Sequence, residues 1–290
     1  MKTTTRYTTT ILSLALLLTL GGCVKDELHD TPHPDTGKVT VTADWTQRGE
    51  GVDIPASWHI AMGDYNGTET GATHAPDYLF NPGNYTLAAY NTPEGITVSG
   101  TTATLAAADG GFIVNAPGWL FTSVQEVAIE ADTDYELTAV MRQQVRELTL
   151  VIKPAGDAAD RIESIEGTLS GAAGTLDFAT GTRGTPSEVE LHFTKITEGD
   201  DAGKWMATVR LLGIAGDAQR LTATLTYTDG NPQPTSLNSD LTATLDDFND
   251  GKTSPLTLGG TIAETPGEAG FTGEITDWET VDGGGVDAEM

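Results

Sequence analysis

The stretch DYELTAVMRQQVRELTLVIK, residues 134–153, indicates the fold most clearly. Apolar and polar residues alternate in its first part, and the alternation resumes in its last part. The apolar positions are Tyr135, Leu137, Ala139, Met141, Leu148, Leu150 and Ile152. A period of two is typical of a strand with one buried face. The polar run 142–144 interrupts the pattern, so we predict that one β-sandwich ends near residue 143 and a second begins there.

The same alternation recurs on both sides of this stretch. It is found at residues 39–45, 58–62, 85–89, 96–98, 127–129, 189–193, 205–211 and 221–227. Glycine, proline, asparagine and aspartate separate these segments, as in antiparallel sandwiches. We therefore predict an all-β chain with sandwiches at 38–143 and 144–281 and a loose acidic tail at 282–290. A short helix is expected only at 155–165, and the pentapeptide LTATL at 221–225 and 241–245 is interpreted as a chance repeat.

The N-terminal segment has the features of a signal peptide. Lys2 and Arg6 precede an apolar run at 11–20, and Leu20-Gly21-Gly22 leads to Cys23, the only cysteine. A basic start, a short apolar run and small residues before a cleavage site are typical of secretion signals. The run is shorter than the roughly 20 residues that a membrane span needs. We predict a signal peptide at 1–22 and a flexible tether at 23–37; the alternative for Cys23 itself is a chance cysteine after an ordinary secretion signal.

The end of this segment resembles the lipobox of bacterial lipoproteins. That resemblance implies cleavage before Cys23 and acylation of its thiol and amine with fatty acids such as palmitate. Cys23 would then be a lipidation site rather than a disulfide partner or a nucleophile.

The charge of the chain excludes one class of partner. The full sequence carries a net charge of −27, with 15 Lys and Arg against 42 Asp and Glu. Removal of Lys2 and Arg6 with the signal leaves 13 basic and 42 acidic residues, a net charge of −29. Such a chain repels the phosphates of nucleic acids, and also anionic lipid headgroups. We expect no nucleic-acid partner, and attachment to a membrane only through lipid.

No motif in the sequence indicates catalysis or a bound cofactor. There is no nucleophile elbow, zinc-protease motif or phosphate loop, and we expect neither an enzyme nor a metal site. The histidines at 29, 33, 59, 74 and 192 are interpreted as surface residues, since prolines 32 and 34 prevent the helix that would align the first two. The turn 246–251 is oxygen-rich but does not match an EF-hand loop, so calcium there is only an alternative to a solvated turn.

Five segments together resemble a known family. Cys23-Val24-Lys25-Asp26-Glu27 is similar to the surface-export signal of lipoproteins from Bacteroidetes-type bacteria. NPGNYTLAAYN at 81–91, MRQQVREL at 141–148, IEGTLSGAAG at 165–174 and FTGEITDW at 271–278 resemble the FimB-type family of fimbrial subunits and anchors. The resemblance implies two transthyretin-like Greek-key sandwiches and a protein on the outer face of the outer membrane. It also implies assembly of a fimbrium (pilus) by exchange of β-strands with other fimbrial subunits.

One residue separates two roles within this family. Stalk subunits are cut after an arginine near the first strand, which opens a groove for a partner's strand, whereas anchors keep their lipid. The resemblance makes Arg48 a possible cleavage site, although it is also a good residue for an ordinary turn.

The sequence is consistent with two functions. A lipid-anchored fimbrial anchor or accessory subunit is the first hypothesis. A surface lipoprotein that binds glycans without catalysis is the alternative, for which the tryptophans at 45, 58, 119, 205 and 278 are the candidate contacts. A glycosidase would need a facing carboxylate pair, and no pair in the sequence stands out.

Overall fold

The computed structural model describes residues 35–155, 159–230, 233–262 and 272–281. Within these ranges the chain is all-β, as predicted, and its remaining regular structure consists of short 3-10 turns. The first strands are β1 (Gly37–Asp44), β2 (Trp58–Met62), β3 (Tyr65–Glu69), β4 (Thr73–His74), β5 (Leu79–Phe80), β6 (Gly83–Tyr90), β7 (Ile96–Ser99), β8 (Thr102–Leu105), β9 (Phe121–Ile129), β10 (Asp134–Val140) and β11 (Arg142–Gln143). The later strands are β12 (Arg146–Lys153), β13 (Ile162–Asp177), β14 (Thr182–Lys195), β15 (Trp205–Leu211), β16 (Arg220–Tyr227), β17 (Thr235–Asp240), β18 (Leu256–Thr261), β19 (Thr272–Gly273) and β20 (Glu279–Thr280).

The alternating residues of the sequence form the buried faces of these strands. In β1, Val39 and Val41 are buried while Lys38 is exposed. In β16, Leu221, Ala223 and Leu225 are buried between exposed threonines. Side chains of a strand point to opposite faces in turn, so the period of two becomes one face in the core and one in solvent.

The first hydrophobic cluster lies between two small sheets. One sheet has the order β10-β1-β4, with β5 also paired to β1, and the other has the order β11-β9-β6-β2-β3. Their facing side chains form one core that includes Val41, Trp58, Phe80, Phe121 and Met141.

The second hydrophobic cluster belongs to an eleven-stranded sheet system. Its main order is β19-β17-β16-β13-β14-β15-β12-β18-β20, and the β7–β8 hairpin joins it through β8 and β13. Ile96, Ala103 and Leu105 of this hairpin pack with the residues of β12 to β18. The clusters therefore interleave along the chain at 96–105; the division into domains near residue 143 and the transthyretin-like layout stay predictions.

The structure can be compared with two local predictions, the helix at 155–165 and the LTATL repeat. The helix expected at 155–165 is wrong for the described residues, because Ala159–Arg161 is a 3-10 turn and strand β13 begins at Ile162. The first LTATL segment lies in β16, whereas the second contains a turn at 242–245. The same five residues thus take two structures according to their surroundings.

The signal peptide, Cys23, nearly all of the tether, and the tail 282–290 lie outside the described residues. No helix in the described ranges is long and apolar enough to cross a membrane.

Candidate functional site

Strand β1 occupies the centre of its sheet. On one side it pairs in parallel with β10, from Lys38↔Asp134 to Asp44↔Val140. On the other side it pairs antiparallel with β4 and β5. Its buried face places Val39 and Val41 in the first cluster, where they are 1% and 0% exposed. Removal of β1 would therefore open a slot between β10 and the short strands β4 and β5.

The end of β1 is fixed to the core by an aromatic contact. Trp45 follows the strand directly and is buried. Its ring meets the ring of Phe121 edge to face, with centroids 5.5 Å apart. Aromatic pairs prefer this geometry. The last residue of the alternating segment thus ties β1 to the opposite sheet.

Arg48 lies in a turn directly after this tryptophan. Its side chain is exposed, and its Nη1 donates a hydrogen bond to the carbonyl oxygen of Trp45 at 3.1 Å. The turn starts where the Thr46 amide donates to Asp44 Oδ1 at 2.9 Å. These bonds to the amide and side chain of Thr46 lower the pKa of the Asp44 carboxyl. The arginine is accessible, but the backbone around it is folded rather than extended.

Gly49, on the other side of the Arg48–Gly49 peptide bond, is buried. Its amide donates to Oε1 of Gln143 at 2.8 Å. Nε2 of Gln143 in turn donates to the carbonyl oxygens of Lys252, at 2.7 Å, and of Val145, at 3.0 Å. A Cβ atom at Gly49 would lie 2.7 Å from the carbonyl oxygen of Thr253. One glutamine thus fastens the Arg48 turn to the start of β12 and to the loop before β18.

A half-buried lysine completes this polar network. Nζ of Lys252 donates to Oε1 of Gln144 at 2.6 Å, and Nε2 of Gln144 donates to Thr122 Oγ1 at 2.8 Å. Burial lowers the pKa of Lys252 to about 8, assisted by the positive charges of Arg183 and Arg142 and opposed by Asp250. Sequence reasoning missed Lys252, because nothing in its neighbourhood distinguishes it from a surface lysine.

A cavity of about 180 Å³ adjoins the network. It is lined by residues 49–52, Trp119, Gln143, Glu147, Lys252, Thr253 and Pro255. Polar groups line a space of this size, so it suits water better than an apolar ligand. We regard it as part of the fastening of the Arg48 turn.

The three described histidines, His59, His74 and His192, lie apart from one another. His59 and His192 lie on the outer faces of β2 and β14, whereas His74 is largely buried between Tyr65 and Glu69. Burial and the Glu69 charge raise the pKa of Tyr65. His29 and His33 lie outside the described residues. Among the residues that the structure describes, no cluster of three or more His, Cys, Asp or Glu side chains could hold a metal ion.

The acidic turn 246–251 is organised by other contacts. Asp246–Asn249 forms a 3-10 turn that buries Phe248. The guanidinium of Arg146 lies 5.0 Å from the centre of that ring and donates to the Phe248 carbonyl at 2.8 Å. Asn249 Oδ1 accepts from the Ile214 amide at 3.0 Å. The side-chain oxygen of Asn249 is thus already hydrogen-bonded to the backbone of the protein.

The tryptophans do not form an exposed platform. Trp45, Trp58 and Trp205 are buried. The half-buried Trp119 lies under the guanidinium of Arg210, and Trp278 donates its Nε1 to Ser239 Oγ. Among the described Phe, Trp and Tyr residues, the exposed one is Tyr78, whose ring lies 4.8 Å from Phe80 and 5.6 Å from Tyr65. Sequence reasoning did not select this tyrosine.

The described segments that carry the family resemblance lie in central strands and in the polar network around Gln143. Residues 81–91 contain β6, the middle strand of its sheet, and 141–148 contain Gln143 and Gln144 of the network. Residues 165–174 form the centre of β13, including a bulge at Gly171, whose φ is +75°. Positive φ favours glycine. Of 271–278, Phe271 lies outside the described residues and Ile275 is buried.

Comparison with known proteins places these features in a wider group. A family model described as "Fimbrillin-A associated anchor proteins Mfa1 and Mfa2" matches residues 62–283. Among solved structures, the fimbrial anchor protein Mfa2 from Porphyromonas gingivalis has 14% identity and a TM-score of 0.59, covering 84% of this chain and 97% of its own. A candidate adhesin from Bacteroides ovatus has 17% identity and a TM-score of 0.57 over 87% and 97%. A candidate polysaccharide-binding protein from Bacteroides thetaiotaomicron has 10% identity and a TM-score of 0.55 over 78% and 92%. Comparison with curated protein sequences gave no match.

Proposed function

Because this chain belongs to the family of fimbrillin-A associated anchor proteins Mfa1 and Mfa2, we propose that it is an anchor or accessory subunit that keeps both strand β1 and a lipid on Cys23. Membership makes it a fimbrial component of the cell surface. The proposal adds that the mature chain is held in the outer membrane by its acyl chains, facing outward. It assigns the chain a structural role without catalysis.

The central position of β1 carries this proposal. The strand pairs on both sides, and its valines and Trp45 belong to the core. The tether connects Cys23 to this strand directly, so loss of the lipid by cleavage at Arg48 would also detach β1 from the rest of the chain. The fastening of the turn by Gln143 opposes such cleavage, because a protease must bind its substrate in an extended conformation.

We further propose that other fimbrial subunits join the chain by strand addition. In this mode backbone hydrogen bonds provide affinity and alternate side chains provide specificity. A subunit that keeps β1 cannot receive a partner's strand in the β1 slot. Any strand that it accepts must therefore pair with another edge.

Membrane-purified protein tests the retention of lipid and strand. We expect intact-mass and N-terminal analysis to find an acylated Cys23, and Cys23→Ser to release the protein and its fimbriae from cells. Arg48→Ala is the matched control and should leave fimbriae unchanged. A mature N-terminus at Gly49 would overturn the retention of β1, and unchanged fimbriae in a deletion strain would overturn the fimbrial role.

Glycan binding is a second candidate function. The exposed Tyr78 ring, supported by Tyr65 and Phe80, is the observation that favours it, because an aromatic face can stack on a sugar ring. Calorimetry with an oligosaccharide panel, on the parent chain and on Tyr78→Ala, tests it. Absence of heat with the parent chain would remove this candidate.

A further inference from the structure

Strand β9 has a sheet edge that is only partly covered. On its inner side β9 pairs with β6 over its whole length, from Thr122 to Ile129. On its outer side β11 pairs with Phe121 and Thr122 only. Strand β10, which directly precedes β11 in the chain, could have continued this pairing, but it joins β1 in the other sheet. No other strand of the described chain covers the outer edge of β9 beyond Thr122.

Two backbone hydrogen bonds identify the backbone groups that face this open edge. The amide of Gln144 donates to the carbonyl oxygen of Leu120, so Leu120 faces the β11 side. Phe121 faces the β6 side, where its carbonyl accepts from the Asn91 amide. The direction alternates along a strand. The amide and carbonyl groups of Val124 and Glu126 therefore face outward, and no strand within the described ranges pairs with them.

A groove of about 480 Å³ runs along this edge. It is lined by Thr122, Ser123, Val124, Gln125, Glu126, Thr138, Val140, Arg142, Gln144, Phe178 and Ala179. The five consecutive residues 122–126 belong to β9, so the backbone edge of this strand forms one wall of the groove. Every second residue from 138 to 144 lines the other wall with its side chain. Val124, Val140 and Phe178 supply apolar surface. Nε2 of Gln125 is buried without a hydrogen-bond partner in the described structure.

The two ends of the groove carry side chains of opposite charge, which would orient a bound segment. Arg142 is exposed, and its guanidinium makes no hydrogen bond or ion pair with another described residue. Glu126, at the far end, is an exposed acidic residue that accepts a hydrogen bond from Thr86. A bound segment would therefore be favoured with an acidic residue next to Arg142 and disfavoured with one next to Glu126.

We propose that the open edge of β9 receives an extended segment of a neighbouring fimbrial subunit, which pairs with Val124 and Glu126. The segment occupies the position that β10 leaves when it crosses to the other sheet, and it carries a small or β-branched residue against Val124 and Val140. An acidic side chain near Arg142 fixes its register. This inference rests on the proposed function, since it names the edge at which a subunit that retains β1 is joined.

Two proline substitutions test the role of this edge independently of the stability of the fold. Val124→Pro removes an outward amide without breaking the pairing to β6, since proline is tolerated where the amide faces away from the sheet. Ala128→Pro is the matched control: it removes an outward amide of the same strand outside the groove. The expected result on cells is a roughly ten-fold rise in shed fimbriae for Val124→Pro and parental retention for Ala128→Pro.

A photo-cross-linking residue provides a second measurement that does not depend on the folding of a proline variant. Placed at Thr138 on the groove wall, it should capture another fimbrial subunit on intact cells. Placed at Thr224, which is exposed in the middle of a paired sheet, it should not. Equal capture at both positions, or parental retention by a folded Val124→Pro, would overturn the inference. Unchanged fimbriae in the deletion strain would overturn the proposed function and this inference with it.

Discussion

Substitution of Gln143 by alanine should expose the Arg48–Gly49 bond to proteases. Gln143 is 4% exposed and makes three hydrogen bonds, to the Gly49 amide and to two carbonyl oxygens. Alanine leaves these three groups without their partner, and the Gly49 amide and the Val145 carbonyl among them are buried. The adjoining cavity of about 180 Å³ lets water replace some of the lost bonds, so the full penalty of all three groups is not reached.

The Gly49 amide sets the magnitude of the effect. An unsatisfied buried group costs about 1–3 kcal/mol, and this cost falls on the free energy of opening the Arg48 turn. When opening is fast relative to cleavage, the cleavage rate follows the population of the open turn. The rate at Arg48 should therefore rise about five- to 150-fold.

Limited proteolysis by trypsin under native conditions measures this rate through the appearance of chains that start at Gly49. Gln144→Ala is the matched control. It removes a neighbouring buried amide that bonds to Thr122 and Lys252 but not to the Arg48 turn. Equal rates of cleavage at Arg48 in the two variants would refute the role assigned to Gln143.

Three other substitutions follow from the same geometry. Gly49→Ala places a Cβ atom 2.7 Å from the Thr253 carbonyl oxygen, so we expect a loss of about 1–3 kcal/mol in urea unfolding; parental stability would contradict the packing described. Phe121→Ala removes a fully buried ring packed on Trp45 and should cost about 3–5 kcal/mol by the same assay, and a loss below 1 kcal/mol would mean that this contact contributes little. Lys252 has a folded pKa below that of the unfolded chain, so the unfolded state binds more protons between about pH 8 and 10.5 and stability rises with pH over this window. Lys252→Met should lack this rise, on the order of 1 kcal/mol after allowance for solvent screening, and an identical pH profile of thermal unfolding in both proteins would contradict the burial of the amine.

Local alternation predicted most strands but not their partners. Val39, Val41 and Ala43 alternate with polar residues, and this pattern alone indicated β1. Its parallel pairing with β10 joins residues nearly 100 positions apart, and no local pattern specifies such a contact. The segment 96–98 was likewise predicted as strand and lies in β7, whereas β8 and its pairing with β13 were not predicted and depend on the second cluster.

Residues whose role comes from burial were the hardest to predict. Lys252 and Gln143 are polar, and polar residues are usually exposed. Their partners lie about 100 residues away along the chain, so the network has no sequence signature. The two LTATL segments show that local sequence alone does not fix the structure, because one forms a strand and the other contains a turn. The family resemblance selected Arg48, because it follows the first strand, whereas no sequence feature indicated the hydrogen bond from Gly49 to Gln143 that holds its turn.

The parallel pairing of β1 with β10 also has a mechanical consequence. A pulling force applied at the N-terminal end of β1, along the strand, would act across the hydrogen bonds to β10 and β4–β5. In this direction the bonds of the seven-residue register with β10 carry the load together in shear, instead of opening one after another as in peeling. The strand that takes the load is thus the one most firmly embedded in its sheet.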